Sequence, residues 1–204
     1  MTTFVDMTDN MDDLLRIARD DPSYIQRERV LSAIYDEEFL YEIATNDSIP
    51  SVRITATRKL RNPEYLMKIA KEDSNSEVRV IATKMIRDDW RLFNLWKIHS
   101  KDWWLRTVIT RKIEQQDYLE TIALQDMNFY VKKEAVQRIK KQDKLFNVVV
   151  NCWETHPDTA RTAFGRITDP RLLQTLRIMT SSDISAEIGK RIRNIRKIMK
   201  KQTE

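Results

Sequence analysis

Five tryptophans and repeated columns of cations are the residues of this chain best suited to chemistry. Trp103 and Trp104 stand side by side in HSKDWWLR, residues 99–106, with Asp102 before them and Arg106 close behind. An exposed indole between basic helices stacks on a nucleic-acid base or anchors a protein partner. Consecutive residues cannot both point inward, so one of the pair is expected at the surface or an edge. The alternative is that it plugs a gap in the packing. Trp96 stands where an alanine recurs elsewhere, which marks it as core filler.

Other reactive sets are sparse. Cys152 is the only cysteine, so an intrachain disulfide and a cysteine-cluster metal site are excluded. His99 and His156 lie far apart and share no ligand spacing. The carboxylate pairs Glu37–Glu38 and Asp88–Asp89 fall at expected helix starts, where negative charge suits the helix dipole. The expectation is no catalytic residue, no metal and no cofactor.

The elements that position these residues are helices. Only two glycines occur in 204 residues, where average usage gives about 14. Hairpins and phosphate loops need glycine at special backbone angles. A dinucleotide fingerprint and a Walker-type loop are therefore excluded. Hydrophobic residues make up 41% and charged residues 33%, which suits a thin structure with much surface. The N-terminal MTTFVDMTDN is acidic. No apolar run approaches the ~20 residues of a membrane span. A cytoplasmic protein without a membrane span is the expectation.

The helices repeat. FLYEIA (39–44), YLMKIA (65–70), RLFNLW (91–96) and YLETIA (118–123) carry leading leucines Leu40, Leu66, Leu92 and Leu119, spaced 26, 26 and 27 apart. Leu15, Leu145 and Leu173 extend the series to seven units. A second motif follows each first: VRITATRKL (52–60), VRVIATKMI (78–86), LRTVITRKI (105–113) and VKKEAVQRI (131–139). Apolar residues at its positions 1, 5 and 9 share one helical face. Each unit is thus two short helices that bury their stripes only by stacking on neighbours. Pro22, Pro50 and Pro157 are placed in the turns inside units, and Pro63 and Pro170 at first-helix starts. Asp36, Asp117, Asp143 and Asp169 are expected N-caps of first helices.

This pattern resembles HEAT-like repeats of the short bacterial and archaeal type, over residues ~11 to ~199. The resemblance implies an all-α, right-handed α-solenoid of about seven two-helix repeats. It also implies a ladder between turn aspartates and arginines early in each second helix. Asp21, Asp47, Asp73 and Asp126 precede Arg27, Arg53, Arg79 and Lys132 by six residues each. Ser100 stands at the aspartate position before Arg106, and Ala160 and Ser185 stand at the basic position of the last two units. The ladder is expected to break at those points. The domain reading is a lead-in over 1–10, one repeat domain over 11–199 and a basic tail over 200–204.

Geometry then sorts the cations of the second helices. At 100° per residue, Arg79 lies about 20° from Ile86, at the edge of the apolar stripe. Lys84 lies about 160° away, almost opposite the core. Arg79 and its equivalents are read as structural. Lys84 shares a column with Arg58, Arg111 and Lys190. The next column holds Lys59, Lys112, Arg138 and Arg166, and a flanking one holds Arg61, Arg87 and Lys140. The second-helix segments carry a net charge of +19 while the whole chain carries +5, so the remainder carries −14. These twelve positions, counting Trp104, are the expected partner-binding residues. The resemblance places second helices on the concave face, which puts the cations there.

The C-terminal KRIRNIRKIMKKQTE is read as a capping helix with a cationic outer face. The functional expectation is a non-enzymatic binding scaffold for an acidic protein surface, through the basic face. The alternative is nucleic-acid binding. One HEAT-like family, the alkylpurine DNA glycosylases, uses a basic concave face with tryptophans and an acid. Asp102 beside Trp103 and Trp104 is similar to that arrangement.

Overall fold

The computed structural model describes residues 11–99, 101–179 and 190. Among the described residues there are thirteen helices and no strand, so the chain is all-α. Contacts divide it into two compact units, residues 1–112 and 113–204.

The first unit holds α1 (Met11–Asp20), α2 (Tyr24–Leu31), α3 (Glu37–Asn46), α4 (Pro50–Lys59), α5 (Pro63–Glu72), α6 (Ser76–Met85), α7 (Asp89–Ile98) and α8 (Trp103–Lys112). Within it each odd helix packs on the even helix that follows. Even helices also pack on even helices, α2 on α4, α4 on α6 and α6 on α8, while α5 lies against both α3 and α7. The second unit holds α9 (Gln116–Gln125), α10 (Phe129–Arg138), α11 (Gln142–Cys152), α12 (Pro157–Phe164) and α13 (Pro170–Met179). There α9 pairs with α10 and α11 with α12, α10 packs on α12, and α11 contacts both α9 and α13.

The expected stripe forms the core. Val52, Ala56 and Leu60 are fully buried, as are Val78 and Ala82, Leu105, Ile109 and Ile113, and Val131, Ala135 and Ile139. Such side chains stabilise by about 1.5–3 kcal/mol each for the larger ones. The alanines at the middle position let the helices approach. A larger side chain at the fully buried Ala82 forces them apart. Trp96 is core, as expected, stacked on Phe93 at 5.4 Å.

Helix starts follow local chemistry. Asp36 caps α3 by accepting from Phe39 N, and Asp169 accepts from Arg171 N at 2.8 Å. Asp117 and Asp143 lie one residue inside α9 and α11 and do not cap them. Pro50 and Pro157 open α4 and α12 as first helical residues, one step beyond the turns expected for them. A proline fits there because that N–H has no intrahelical partner.

The ladder is real but connects differently. Arg27 Nε and Nη2 grip Asp47 at 2.7 and 3.0 Å, and Arg53 grips Asp73 at 2.8 and 2.9 Å. The aspartate six residues earlier offers only its backbone carbonyl, Asp21 to Arg27 and Asp47 to Arg53. The carboxylate partner is therefore twenty residues downstream, in the next pair of helices. Nor does the ladder break where Ser100 replaces aspartate. Arg79 Nη2 reaches Asp102 Oδ2 at 2.9 Å. Asp102 serves two residues late, while its other oxygen accepts Leu105 N at 2.9 Å.

Candidate functional site

The second helices of the first unit present their cations in two distinct states. Arg58 and Lys84, on α4 and α6, are exposed and show no ion pair among the described residues. Arg111, the matching residue of α8, is exposed and lies 6.0 Å from the Trp104 ring centroid. This is the column that the helical geometry turned away from the core.

The adjacent column is committed. Lys59 Nζ donates to the carbonyls of Leu31 and Ser32 at 2.6 and 2.7 Å. Lys112 Nζ donates to the Lys84 carbonyl at 2.7 Å. In the second unit Arg138 Nε donates to Ile113 O and Arg166 Nη2 to Ile139 O, both at 3.2 Å. Lys59, Lys112 and Arg166 thus satisfy carbonyls at the end of the preceding second helix, where positive charge also suits the dipole. Arg138 ties down the Ile113 carbonyl within the second unit. Burial pushes the Lys59 and Lys112 ammonium groups below the ordinary lysine range, and Arg87 adds to this at Lys112. Lys59, Lys112 and Arg166 are primarily struts between second helices of one unit.

The flanking residues Arg61, Arg87 and Lys140 follow the second helices and are exposed. Lys190 is exposed and helical, while the rest of the basic C-terminal segment lies outside the described residues. The column of Lys84 continues in the second unit with exposed Gln137, Gly165 and Lys190.

A groove of about 1010 Å³ opens in the first unit where α4 and α6 end and α3, α5 and α7 begin. Leu60, Leu66 and Ile86 line its floor, and Arg58, Arg61 and Arg87 line it too. Tyr35, 81% exposed, stands at its side with Lys59 Nζ 4.5 Å from the ring centroid. Arg91 also lines the groove but is held by Glu64 at 2.7 Å.

Trp103 and Trp104 open α8 and are both exposed, at 44% and 51%, where only one of the pair is expected at the surface. They touch edge to face at 6.0 Å. Neither plugs a ladder gap, because Asp102 supplies the missing carboxylate. Burial raises the Asp102 carboxyl, but the Leu105 N–H and the Arg79 guanidinium outweigh that and hold it below its ordinary value of 3.8. It is an anchored anion, tied to Arg79 and to the first turn of α8. Burial lowers His99, half-buried at the end of α7, and nearby Arg79 and Arg106 add to that against the pull of the Ala70 backbone and Asp102. Among the described residues no group of three or more His, Cys, Asp or Glu side chains has metal-binding geometry.

The second unit carries a variant rung. Lys132 is 1% exposed and donates to Leu124 O at 2.8 Å. Burial lowers its ammonium, with Cys152 and Asp126 acting in the opposite sense. Cys152 falls 26 residues after Asp126, where the register assigns a ladder aspartate. Burial raises this thiol, against the pull of Lys132.

One set of residues escaped the sequence reading. Glu37, Gln116 and Gln142, the first residues of α3, α9 and α11, each hold the loop that follows the next second helix. Their common register is visible in the sequence, where Glu37 reads only as a charge suited to the helix dipole.

No family profile, no curated protein and no solved structure matches this chain. No helix among the described residues is long and apolar enough to cross a membrane.

Proposed function

We propose that the chain is a non-enzymatic cytoplasmic scaffold, an α-solenoid of about seven HEAT-like two-helix repeats, that holds an acidic protein surface. One observation carries this reading. Among the described residues Arg58 and Lys84 stand exposed and without an ion pair on successive stacked helices, while the neighbouring cations Lys59 and Lys112 are tied to backbone carbonyls. A surface that only needed solubility would mix charge signs. Here Arg58 and Lys84 recur at one register of stacked helices, and the nearby acids Glu37, Glu64 and Asp88 are bound by backbone N–H groups or arginine. Such a field attracts polyanions and steers their approach.

Trp104 beside Arg111 favours a second reading, nucleic acid held by stacking and phosphate contacts. Catalysis by Asp102 in the manner of an alkylpurine glycosylase finds no support in its geometry.

Fluorescence titration with an oligoglutamate peptide, duplex DNA, single-stranded DNA and RNA separates the readings. The expected result is peptide binding that the triple variant Arg58→Gln, Lys84→Gln, Arg111→Gln abolishes while its melting temperature stays near wild type. Tight nucleic-acid binding that weakens steeply with salt, without peptide binding, selects the second reading.

A further inference from the structure

Every loop from a second helix into the next first helix carries two adjacent backbone N–H groups at one register. They lie one and two residues past the apolar residue that closes the second helix. In three loops both N–H groups converge on a single side-chain oxygen. Glu37 Oε1 accepts from Arg61 N and Asn62 N at 2.5 and 3.1 Å. Gln116 Oε1 accepts from Lys140 N and Lys141 N at 2.6 and 3.2 Å. Gln142 Oε1 accepts from Thr168 N and Asp169 N at 2.7 and 3.3 Å. The latch is always the first residue of the preceding first helix.

Two loops show no such latch among the described residues, Tyr35–Asp36 and Arg87–Asp88. In the second the residue at the latch position is Pro63, which has no side-chain acceptor at all. The N–H groups of Arg87 and Asp88 meet no protein acceptor among the described residues. This loop and Pro63 line the groove of the first unit, with Arg58 and Arg61 alongside. Arg58, Arg61 and Arg87 are all exposed. The local acids are occupied: Asp88 caps α7 through Arg91 N at 2.8 Å and lies 3.8 Å from the Arg91 guanidinium, and Glu64 holds that guanidinium at 2.7 Å.

We propose that the Arg87–Asp88 loop is a carboxylate cradle, filled in trans by a glutamate or aspartate side chain of an acidic protein partner. This inference rests on the acidic-partner reading and names its contact. The incoming carboxylate takes the place that Glu37 fills in the preceding repeat, accepting both N–H groups. Arg58, Arg61 and Arg87 supply the surrounding positive charge, and charged hydrogen bonds of this kind are strong. A carboxylate is favoured over a phosphate because Glu37 seats one on the equivalent pair in the same groove.

The test is a ¹⁵N NMR titration of the full chain with a short oligoglutamate peptide, on wild type, Pro63→Gln and Pro63→Ala. Gln116 and Gln142 open α9 and α11 at the same position, so Pro63→Gln keeps the helix start and adds a neutral latch without changing charge. The expected result is that the Arg87 and Asp88 amide signals move on peptide addition, that Pro63→Ala binds like wild type, and that Pro63→Gln weakens binding about tenfold. Peptide binding that leaves both amides unmoved and treats the two variants alike overturns the cradle but spares the acidic-partner reading. No peptide binding to wild type at low salt overturns both. Shifts of these amides with an oligonucleotide and not with the peptide assign the cradle to phosphate and overturn the proposal.

Discussion

Arg53 binds the carboxylate of Asp73, twenty residues ahead, and takes only the backbone carbonyl of Asp47, six residues behind. The distances are 2.8 and 2.9 Å to the Asp73 oxygens and 2.8 Å to the Asp47 carbonyl. One guanidinium therefore joins two successive helix pairs. Asp73 also accepts Asn75 N at 2.8 Å, which shapes the turn that leads into α6. The pair is nearly dry, with side chains 9% and 5% exposed.

Removing one member leaves the other charge buried. Asp73→Ala is expected to cost about 3–5 kcal/mol in urea denaturation, and Arg53→Ala a similar amount. The double variant is expected to cost clearly less than the sum, because the second truncation removes the stranded charge. Strict additivity would show that the joint does not depend on this pair.

Asp102 makes a pH prediction. Its folded carboxyl sits below the ordinary 3.8, so its contribution is present above that value and is lost as pH falls through the lower folded value. The stability gap between wild type and Asp102→Asn is expected to be level near neutral pH and to close below pH 3.8. A gap that instead closes around neutrality would mean a raised carboxyl, the property an acid–base catalyst needs. No release of methylated purines from DNA is expected from wild type.

Thr57 and Thr83 are fully buried, and their hydroxyls have no hydrogen-bond partner among the described residues. Val136 occupies the same register in α10 and is equally buried. A buried unpaired hydroxyl costs about 1–3 kcal/mol. Thr83→Val is therefore expected to stabilise the chain by about 1 kcal/mol in the same denaturation experiment. A loss of stability would point to a function for the hydroxyl.

Neighbouring cations on α4 are expected to separate cleanly. Lys59→Met strips the donor from the Leu31 and Ser32 carbonyls and should cost about 1–2 kcal/mol. Arg58→Gln should stay within about 0.5 kcal/mol, while weakening oligoglutamate binding. Equal thermal shifts for the two would erase the distinction between strut and contact.

The helix inventory was legible because burial imposes a short-range period. Val52, Ala56 and Leu60 announce one face, and a spacing of 26 or 27 residues announces the stacking. Which cations were free was only half legible. Helical angle separates Arg79 from Lys84, since both lie on one helix. It cannot separate Arg58 from Lys59, because the acceptors of Lys59 lie on a different helix, 27 and 28 residues away.

The amino-acid order by itself determined that this chain is helical, repetitive and polarised in charge. Those are properties of composition and local period. Only tertiary structure decided that Arg53 answers Asp73 rather than Asp47, that Asp102 stands in where the ladder loses its aspartate, and that Pro63 leaves two amides unlatched. Each of these depends on which side chain reaches across a joint between helix pairs. That reach is set by packing distance and not by separation along the chain.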